Sequence, residues 1–132
     1  MNAKTREIVE VRAAGRCEYC HMPQDATPFL TFHVEHIRAR QHVEDDSLEN
    51  IAFACPQCNF HKGPNLSSVD QATNDVVELF NPRTQSWSDH FTVENSRIEG
   101  RTPVGRVTAR LLQMNQPTQV RIRKRLILRN EF

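Results

Sequence analysis

The sequence of 132 residues lacks several features that would place a protein in a special class at once. No stretch approaches the roughly 20 apolar residues of a membrane-spanning helix, and the charged start MNAKTREIVEV lacks the apolar core of a signal peptide. The sequence also has no internal repeat and no low-complexity linker. We therefore expect a cytoplasmic protein with one modest core and no contact with a membrane.

Charge of one sign is not in excess overall, since the formal net charge is +1, but its distribution is uneven. Residues 101–132 carry a net charge of +7 and residues 1–100 a net charge of −6. A basic segment over 101–130 suits contact with nucleic-acid phosphates, and the alternative is a solvated helix face that also buries apolar side chains. The candidate contacts in this segment are Arg121, Arg123, Lys124 and Arg125.

The hydrophobic pattern predicts a small α+β fold with an N-terminal helix and a basic helical extension at the C-terminus. We divide it into a core over 1–64 and an extension over 65–132 that packs on the core. The predicted elements are a helix over 3–14 with Ile8, Val11 and Ala14 on its apolar face, strands over 29–37 and 51–55, a helical turn over 56–62, a strand in DVVELFNP, a helical turn bearing Trp87 and Phe91, a helix capped by Thr102 with Pro103 at its first position, and a last segment opened by Pro117.

Four cysteines form two Cys-x-x-Cys loops. Cys17 and Cys20 make one loop, and Cys55 and Cys58 make the other. Four thiolates of this spacing converge around zinc as a closed tetrahedral site, and in a reducing compartment they are seldom disulfides. The sequence therefore predicts a structural zinc site, with a strand, loop and strand inserted between its two halves.

The segments CEYC, VEHI and LENIAFACPQCNFHKG, in this order, strongly resemble the HNH endonucleases, the zinc-stapled branch of the ββα-metal nucleases. The resemblance implies a ββα-metal (His-Me finger) core and hydrolysis of DNA phosphodiester bonds. In that family the histidine that ends the first strand is the general base, and His36 occupies its place. The preceding acid is a metal ligand, which maps to Glu35, and the asparagine before the second strand orients the loop and the base, which maps to Asn50.

The third motif position follows the last cysteine, and here it is Asn59, so the chain has an H-N-N variant of the motif. His61 is the alternative ligand, but on a helical turn it lies about 200° from Asn59, whereas Lys62 shares the face of Asn59. Glu35 with Asn59 favours Mg²⁺ or Mn²⁺, and a His61 ligand shifts the preference toward ions such as Ni²⁺. Lys62 either contacts a phosphate or is an ordinary solvated lysine.

Three residues or features depart from the common family pattern: Glu35 stands in place of aspartate, Ala39 in place of proline, and the loop RQHVEDD lacks a glycine pair. Adjacent strand residues also point to opposite faces, so Glu35 and His36 can share a site only if the strand ends or bulges there. The other class of function that fits the cysteines and the basic tail is a zinc-ribbon nucleic-acid-binding module without cleavage. A third is a structural or regulatory scaffold that has lost nuclease competence.

Overall fold

Short helices and two-stranded sheets alternate along residues 2–132, the part of the chain that the computed structural model describes. In chain order the elements are α1 (Ala3–Arg12), β1 (His33–His36), β2 (Ile51–Ala54), α2 (Pro56–Lys62), β3 (Ser67–Val69), β4 (Val76–Glu78), α3 (Trp87–His90), β5 (Phe91–Glu94), β6 (Arg97–Gly100), α4 (Pro103–Leu111) and α5 (Pro117–Leu128). Over these described residues the strands form three antiparallel pairs, β1 with β2, β3 with β4 and β5 with β6. The predicted α+β class is confirmed.

The first hairpin and α2 form the ββα unit. Glu35 lies opposite Ala52 and His36 opposite Ile51, and every residue of β2 is buried. The predicted strand over 29–37 is too long: β1 ends at His36, one residue before the predicted end, and 29–32 lie outside it, with Phe29 98% exposed. The reason is that β2 ends after Ala54, so the residues before β1 have no strand to pair with.

Helix α1 packs on this hairpin with a different face from the predicted one. Val9 is fully buried, whereas Ile8 and Val11 are exposed. Arg6 donates to the carbonyl of Phe32 and Arg12 to the carbonyl of Ile51. The residues that face the hairpin, Arg6, Val9 and Arg12, are spaced three apart along the helix. The inward face of α1 is therefore set by two arginines that bond the hairpin as well as by burial of Val9.

The C-terminal half contains one predicted helix start and one hairpin that the sequence did not predict. The hydroxyl of Thr102 accepts from the amide of Gly105, which confirms the predicted cap of α4. The unpredicted hairpin joins β5 and β6 through Asn95 and Ser96, both at positive φ, which is the geometry of a two-residue turn.

One buried cluster joins the two halves of the described chain. It includes Val9 and Phe53 from the first half, and Ile98, Leu112 and Leu126 from the second. An ion pair between Glu18 and Arg83 adds a polar link between the halves. None of the helices in residues 2–132 has the length and apolar character that a bilayer crossing demands.

Candidate active site and metal centre

The four cysteines meet in one buried cluster. The thiol sulfurs of Cys17, Cys20, Cys55 and Cys58 all lie within 4.8 Å of one another. The sulfurs of Cys20 and Cys55 are 3.7 Å apart, close to the ~3.8 Å edge of a tetrahedron with metal–sulfur bonds of roughly 2.3 Å. The predicted convergence is therefore confirmed, and the donor set fits a structural metal such as zinc, which would link the first loop to the start of α2.

Glu35 points into the protein, toward α2, and is 7% exposed. One carboxylate oxygen accepts from the hydroxyl of Tyr19, which lies between the first two cysteines, and the other lies 3.1 Å from the ammonium of Lys62. Burial raises the pKa of Glu35, and the ammonium and the hydroxyl oppose that rise. Burial and the neighbouring carboxylate raise the pKa of Tyr19 well above its usual value, which keeps the hydroxyl protonated as a donor.

Lys62 does not face solvent, and in this arrangement its ammonium is turned inward and not toward a phosphate. Its side chain is 2% exposed, and its ammonium also donates to the carbonyls of His36 and Ile37, at 3.3 and 2.8 Å. With the bond to Glu35 these contacts use the three donors of an ammonium. Lys62 therefore fixes the chain where β1 ends, because the carbonyls that it binds belong to the last strand residue and the next one.

Glu35 and α2 carry the types of oxygen ligand that a catalytic divalent ion prefers. In this structure, however, the carboxylate oxygens of Glu35 are already engaged and are not free to bind an ion. Carboxylate and amide oxygens are the ligands that Mg²⁺ and Mn²⁺ prefer, and Asn59 lies on the helix toward which Glu35 points. However, both oxygens of Glu35 already accept, and the ammonium beside one of them repels a second cation. In residues 2–132 the only group of three or more cysteine, histidine or acidic side chains close enough to hold an ion is the four-cysteine cluster. As arranged, Glu35 is not available as a ligand.

His36 ends β1 and faces away from Glu35. Its Nε2 lies 2.7 Å from Oδ1 of Asp46, and its side chain is 19% exposed. Among the described residues its Nδ1 has no hydrogen-bond partner, so this nitrogen is available to a water molecule or a substrate. The strand ends where a shared site would require, but Glu35 and His36 keep separate partners.

Asn50 fixes the loop that joins the two strands. Its side-chain oxygen accepts from the amide of Arg38, and its side-chain nitrogen donates to the carbonyls of Arg38 and Asp45. Asn50 is 5% exposed, so these three bonds satisfy a buried amide. They hold the end of β1 to the segment that carries Asp46.

Asn59 and His61 lie on α2, and both are partly exposed. Phe60, between them, is 79% exposed, and its ring meets the ring of His61 edge to face with the centroids 5.2 Å apart. Cys55 caps the start of the helix, since its sulfur accepts from the amide of Cys58. The cysteine cluster therefore sets the orientation of the helix that presents both candidate ligands.

Three of the remaining histidines have structural partners. His21 stacks on Trp87 with the ring centroids 4.0 Å apart, and burial lowers its pKa. His42 bonds the carbonyl of Pro64, and Nδ1 of His90 lies 2.6 Å from the hydroxyl of Thr102. His33 is exposed on β1. These four histidines are therefore ordinary surface or core residues.

Of the four basic candidates on α5, three are exposed and one is not. Arg121, Lys124 and Arg125 reach solvent. Arg123 is fully buried and donates to the carbonyls of Ser96 and Met114, at 2.7 and 2.8 Å, so its guanidinium is not presented to nucleic acid in this arrangement. The guanidinium lies at the junction of α5 with the turn between β5 and β6, where it satisfies carbonyls that would otherwise be buried without donors.

Two residues at the site escaped the sequence interpretation. Tyr19 lies inside the first cysteine loop, where the cysteine spacing masks any other role. Asp46 belongs to the acidic run EDDS, which looks like a solvated loop. The sequence feature that could have indicated Asp46 is its position four residues before Asn50. An asparagine that orients a loop also brings nearby loop residues toward the base.

A hairpin that packs on a helix and is joined to it by four clustered cysteines is the arrangement expected of a zinc-stapled ββα core. The family model described as HNH endonuclease matches residues 17–65. This segment runs from the first cysteine to just beyond α2, and it is similar to the HNH endonuclease family, as the sequence motifs had indicated. Neither the curated proteins nor the solved structures gave a significant match.

Proposed function

We propose that this protein is an endonuclease that hydrolyses phosphodiester bonds of DNA, with His36 as the general base. The observation that carries the proposal is the state of His36 within the matched HNH segment: Nε2 is held by Asp46, and Nδ1 has no hydrogen-bond partner among the described residues. Histidine is the side chain whose ordinary pKa lies nearest neutral pH, so it suits this role.

The proposed reaction is a displacement at phosphorus. Nδ1 of His36 takes a proton from water, the water oxygen bonds to phosphorus, and the bond from phosphorus to the 3′ oxygen breaks. The 3′ oxygen then takes up a proton, which leaves a 5′-phosphate and a 3′-hydroxyl. Asn50 supports this step by fixing the loop behind the base.

We include two metals in the proposal. Zinc would be held by Cys17, Cys20, Cys55 and Cys58 and would join the two cysteine loops. Mg²⁺ or Mn²⁺, with Ni²⁺ as an alternative, is supported by the family match; the ligands would be Glu35 with Asn59, or with His61 instead. Such an ion supplies positive charge at the scissile phosphate. Glu35 can serve it only after release from Lys62, since both of its oxygens are engaged.

DNA is the proposed partner, and the exposed basic residues Arg121, Lys124 and Arg125 would attract its phosphates.

The cytoplasm is the proposed compartment, because four unpaired cysteines that bind a metal suit a reducing environment. The division into a core over 1–64 and an extension over 65–132 remains a proposal, and the buried cluster that spans both parts supports an extension packed on the core.

The buried pair of Glu35 and Lys62 favours a second candidate, a zinc-stapled nucleic-acid-binding module without cleavage. In that case the acid of the motif is a structural residue and not a ligand. The two candidate functions predict different effects of removing His36. A nuclease loses its cleavage activity, whereas a binding module keeps its DNA affinity.

Nicking of a supercoiled plasmid tests the proposal. Zinc-loaded wild type is incubated with Mg²⁺, Mn²⁺ or Ni²⁺, beside His36→Ala, an EDTA control and the matched variant His33→Ala, which removes an exposed histidine from the same strand. The proposal expects metal-dependent nicking by the wild type and by His33→Ala only. DNA binding by all three proteins with no nicking under any metal would overturn it in favour of the binding module.

A further inference from the structure

Asp46 makes the closest polar contact of His36. Its Oδ1 lies 2.7 Å from Nε2 of the imidazole, and the same oxygen accepts from Nε and Nη2 of Arg40, at 3.3 and 3.2 Å. Three nitrogens from two side chains on one oxygen limit the positions that this carboxylate can adopt.

The loop that carries Asp46 is itself anchored. Asn50 binds the carbonyl of Asp45, and the carboxylate of Asp45 accepts from the amide of Ser47 at 2.9 Å. The backbone on both sides of Asp46 is therefore tied down, although Asp46 is 62% exposed. The anchoring makes an exposed carboxylate a defined partner for the imidazole.

We propose that Asp46 is a positioning residue for the base, holding the imidazole of His36 with its proton on Nε2. A neutral imidazole has one donor nitrogen and one acceptor nitrogen, so a carboxylate on Nε2 leaves the lone pair on Nδ1. Nδ1 is the nitrogen without a partner, and it is therefore the one that accepts the proton of the attacking water. This inference rests on the proposed function.

The contact orients the ring more than it stabilises the fold. A largely exposed polar contact contributes little to stability, because water competes for both partners, and even exposed ion pairs are worth little. The effect of Asp46 should therefore appear in the reaction and in the tautomer of His36, and hardly in thermal unfolding. Arg40 acts on the same carboxylate and restrains it without touching the imidazole.

The test compares Asp46→Ala and Asp46→Asn with Glu44→Gln, which removes a negative charge from an exposed residue of the same loop. We expect kcat to fall about 10- to 100-fold in Asp46→Ala with little change in KM, which is part of the roughly 10²- to 10⁴-fold that a well-placed general base contributes. Asp46→Asn keeps an oxygen acceptor and should recover part of the loss. Glu44→Gln should match the wild type.

A second readout does not depend on cleavage. Long-range ¹⁵N–¹H NMR of the imidazole reports which nitrogen of His36 carries the proton. We expect the Nε2–H form in the wild type and in Glu44→Gln, and a mixture of tautomers in Asp46→Ala.

The outcomes separate this inference from the proposed function. If the wild type cuts DNA but Asp46→Ala equals Glu44→Gln in kcat and in tautomer, the positioning role is wrong and the nuclease stands. If the wild type cuts no DNA under any metal, the proposed function fails and the inference falls with it.

Discussion

The ammonium of Lys62 lies 3.1 Å from the carboxylate of Glu35, and the two side chains are only 2% and 6% exposed. This pair joins α2 to β1 one residue before the proposed base. A buried ion pair of this kind is costly to break from one side, because the remaining charge stays in a low-dielectric setting. The pair therefore holds the geometry of the site and also occupies the acid that the motif assigns to a metal.

Removing the ammonium should strongly destabilise the fold. We expect Lys62→Met to lower the free energy of unfolding by about 3–5 kcal/mol, the usual cost of leaving a buried charge without its partner. The double variant Lys62→Met/Glu35→Gln should recover part of that loss, since it removes the stranded charge. Urea unfolding followed by circular dichroism measures both, with Lys4→Met as the exposed control. Equal stability of Lys62→Met and Lys4→Met would show that the pair does not exist in solution.

Loss of one cysteine ligand should prevent stable folding. Structural zinc contributes on the order of 10–16 kcal/mol in zinc-finger peptides, as much as or more than the total stability of a typical domain, about 5–15 kcal/mol. We expect one tightly bound zinc per wild-type chain by elemental analysis, and a large drop in the unfolding temperature on chelation. Cys55→Ser should bind no zinc tightly and remain unfolded at room temperature. A metal-free wild type with an unchanged unfolding temperature would contradict the site.

The packing of α4 against the chain at His90 should not tolerate a methyl group. A Cβ added at Gly105 would lie 1.9 Å from the carbonyl oxygen of His90. Alanine in a helix interior usually gains about 0.5–1 kcal/mol over glycine, but overpacking costs about 1–3 kcal/mol or more. We therefore expect Gly105→Ala to be destabilising by differential scanning calorimetry, with Thr118→Ala on the exposed start of α5 as the control. A rise in the unfolding temperature would contradict the packing.

The exposed cations of α5 should set the salt dependence of DNA binding. Each lost phosphate contact lowers the slope of log K against log salt by about 0.9 on duplex DNA. We expect Arg121→Ala, Lys124→Ala and Arg125→Ala to weaken binding by similar factors across unrelated sequences, measured by fluorescence anisotropy at several salt concentrations. Lys4→Ala is the control on α1. An unchanged slope in all three variants would assign DNA contact to another surface.

The sequence predicted those parts of the fold that depend on local chemistry. Two Cys-x-x-Cys loops specify a convergent cluster, Thr102 before Pro103 specifies a capped helix start, and the β-branched and aromatic residues of 29–37 specify a strand that includes β1. The hairpin of β5 and β6 escaped because Asn95 and Ser96 are a weaker turn signal than Asn-Gly.

The parts that the sequence could not provide depend on neighbours distant in the chain. Charged side chains are normally exposed, so nothing local in the sequence indicates that Lys62 or Arg123 is buried. Lys62 binds Glu35 and two carbonyls at the end of β1. Arg123 binds two carbonyls near α5. The contact of Asp46 with His36 depends on how Asn50 folds the loop, and the motif names Asn50 but not the residues that it brings close.

The most direct test of the account is the single-turnover rate at which an end-labelled DNA duplex is cleaved. Wild type, His36→Ala and His33→Ala are compared at the metal that gives the most nicking, and the new ends are assayed for a 5′-phosphate by ligation. We expect ligatable products, a loss of about 10²- to 10⁴-fold in His36→Ala, and no loss in His33→Ala. Cleavage by His36→Ala at the wild-type rate, or no cleavage by any of the three proteins, would contradict it.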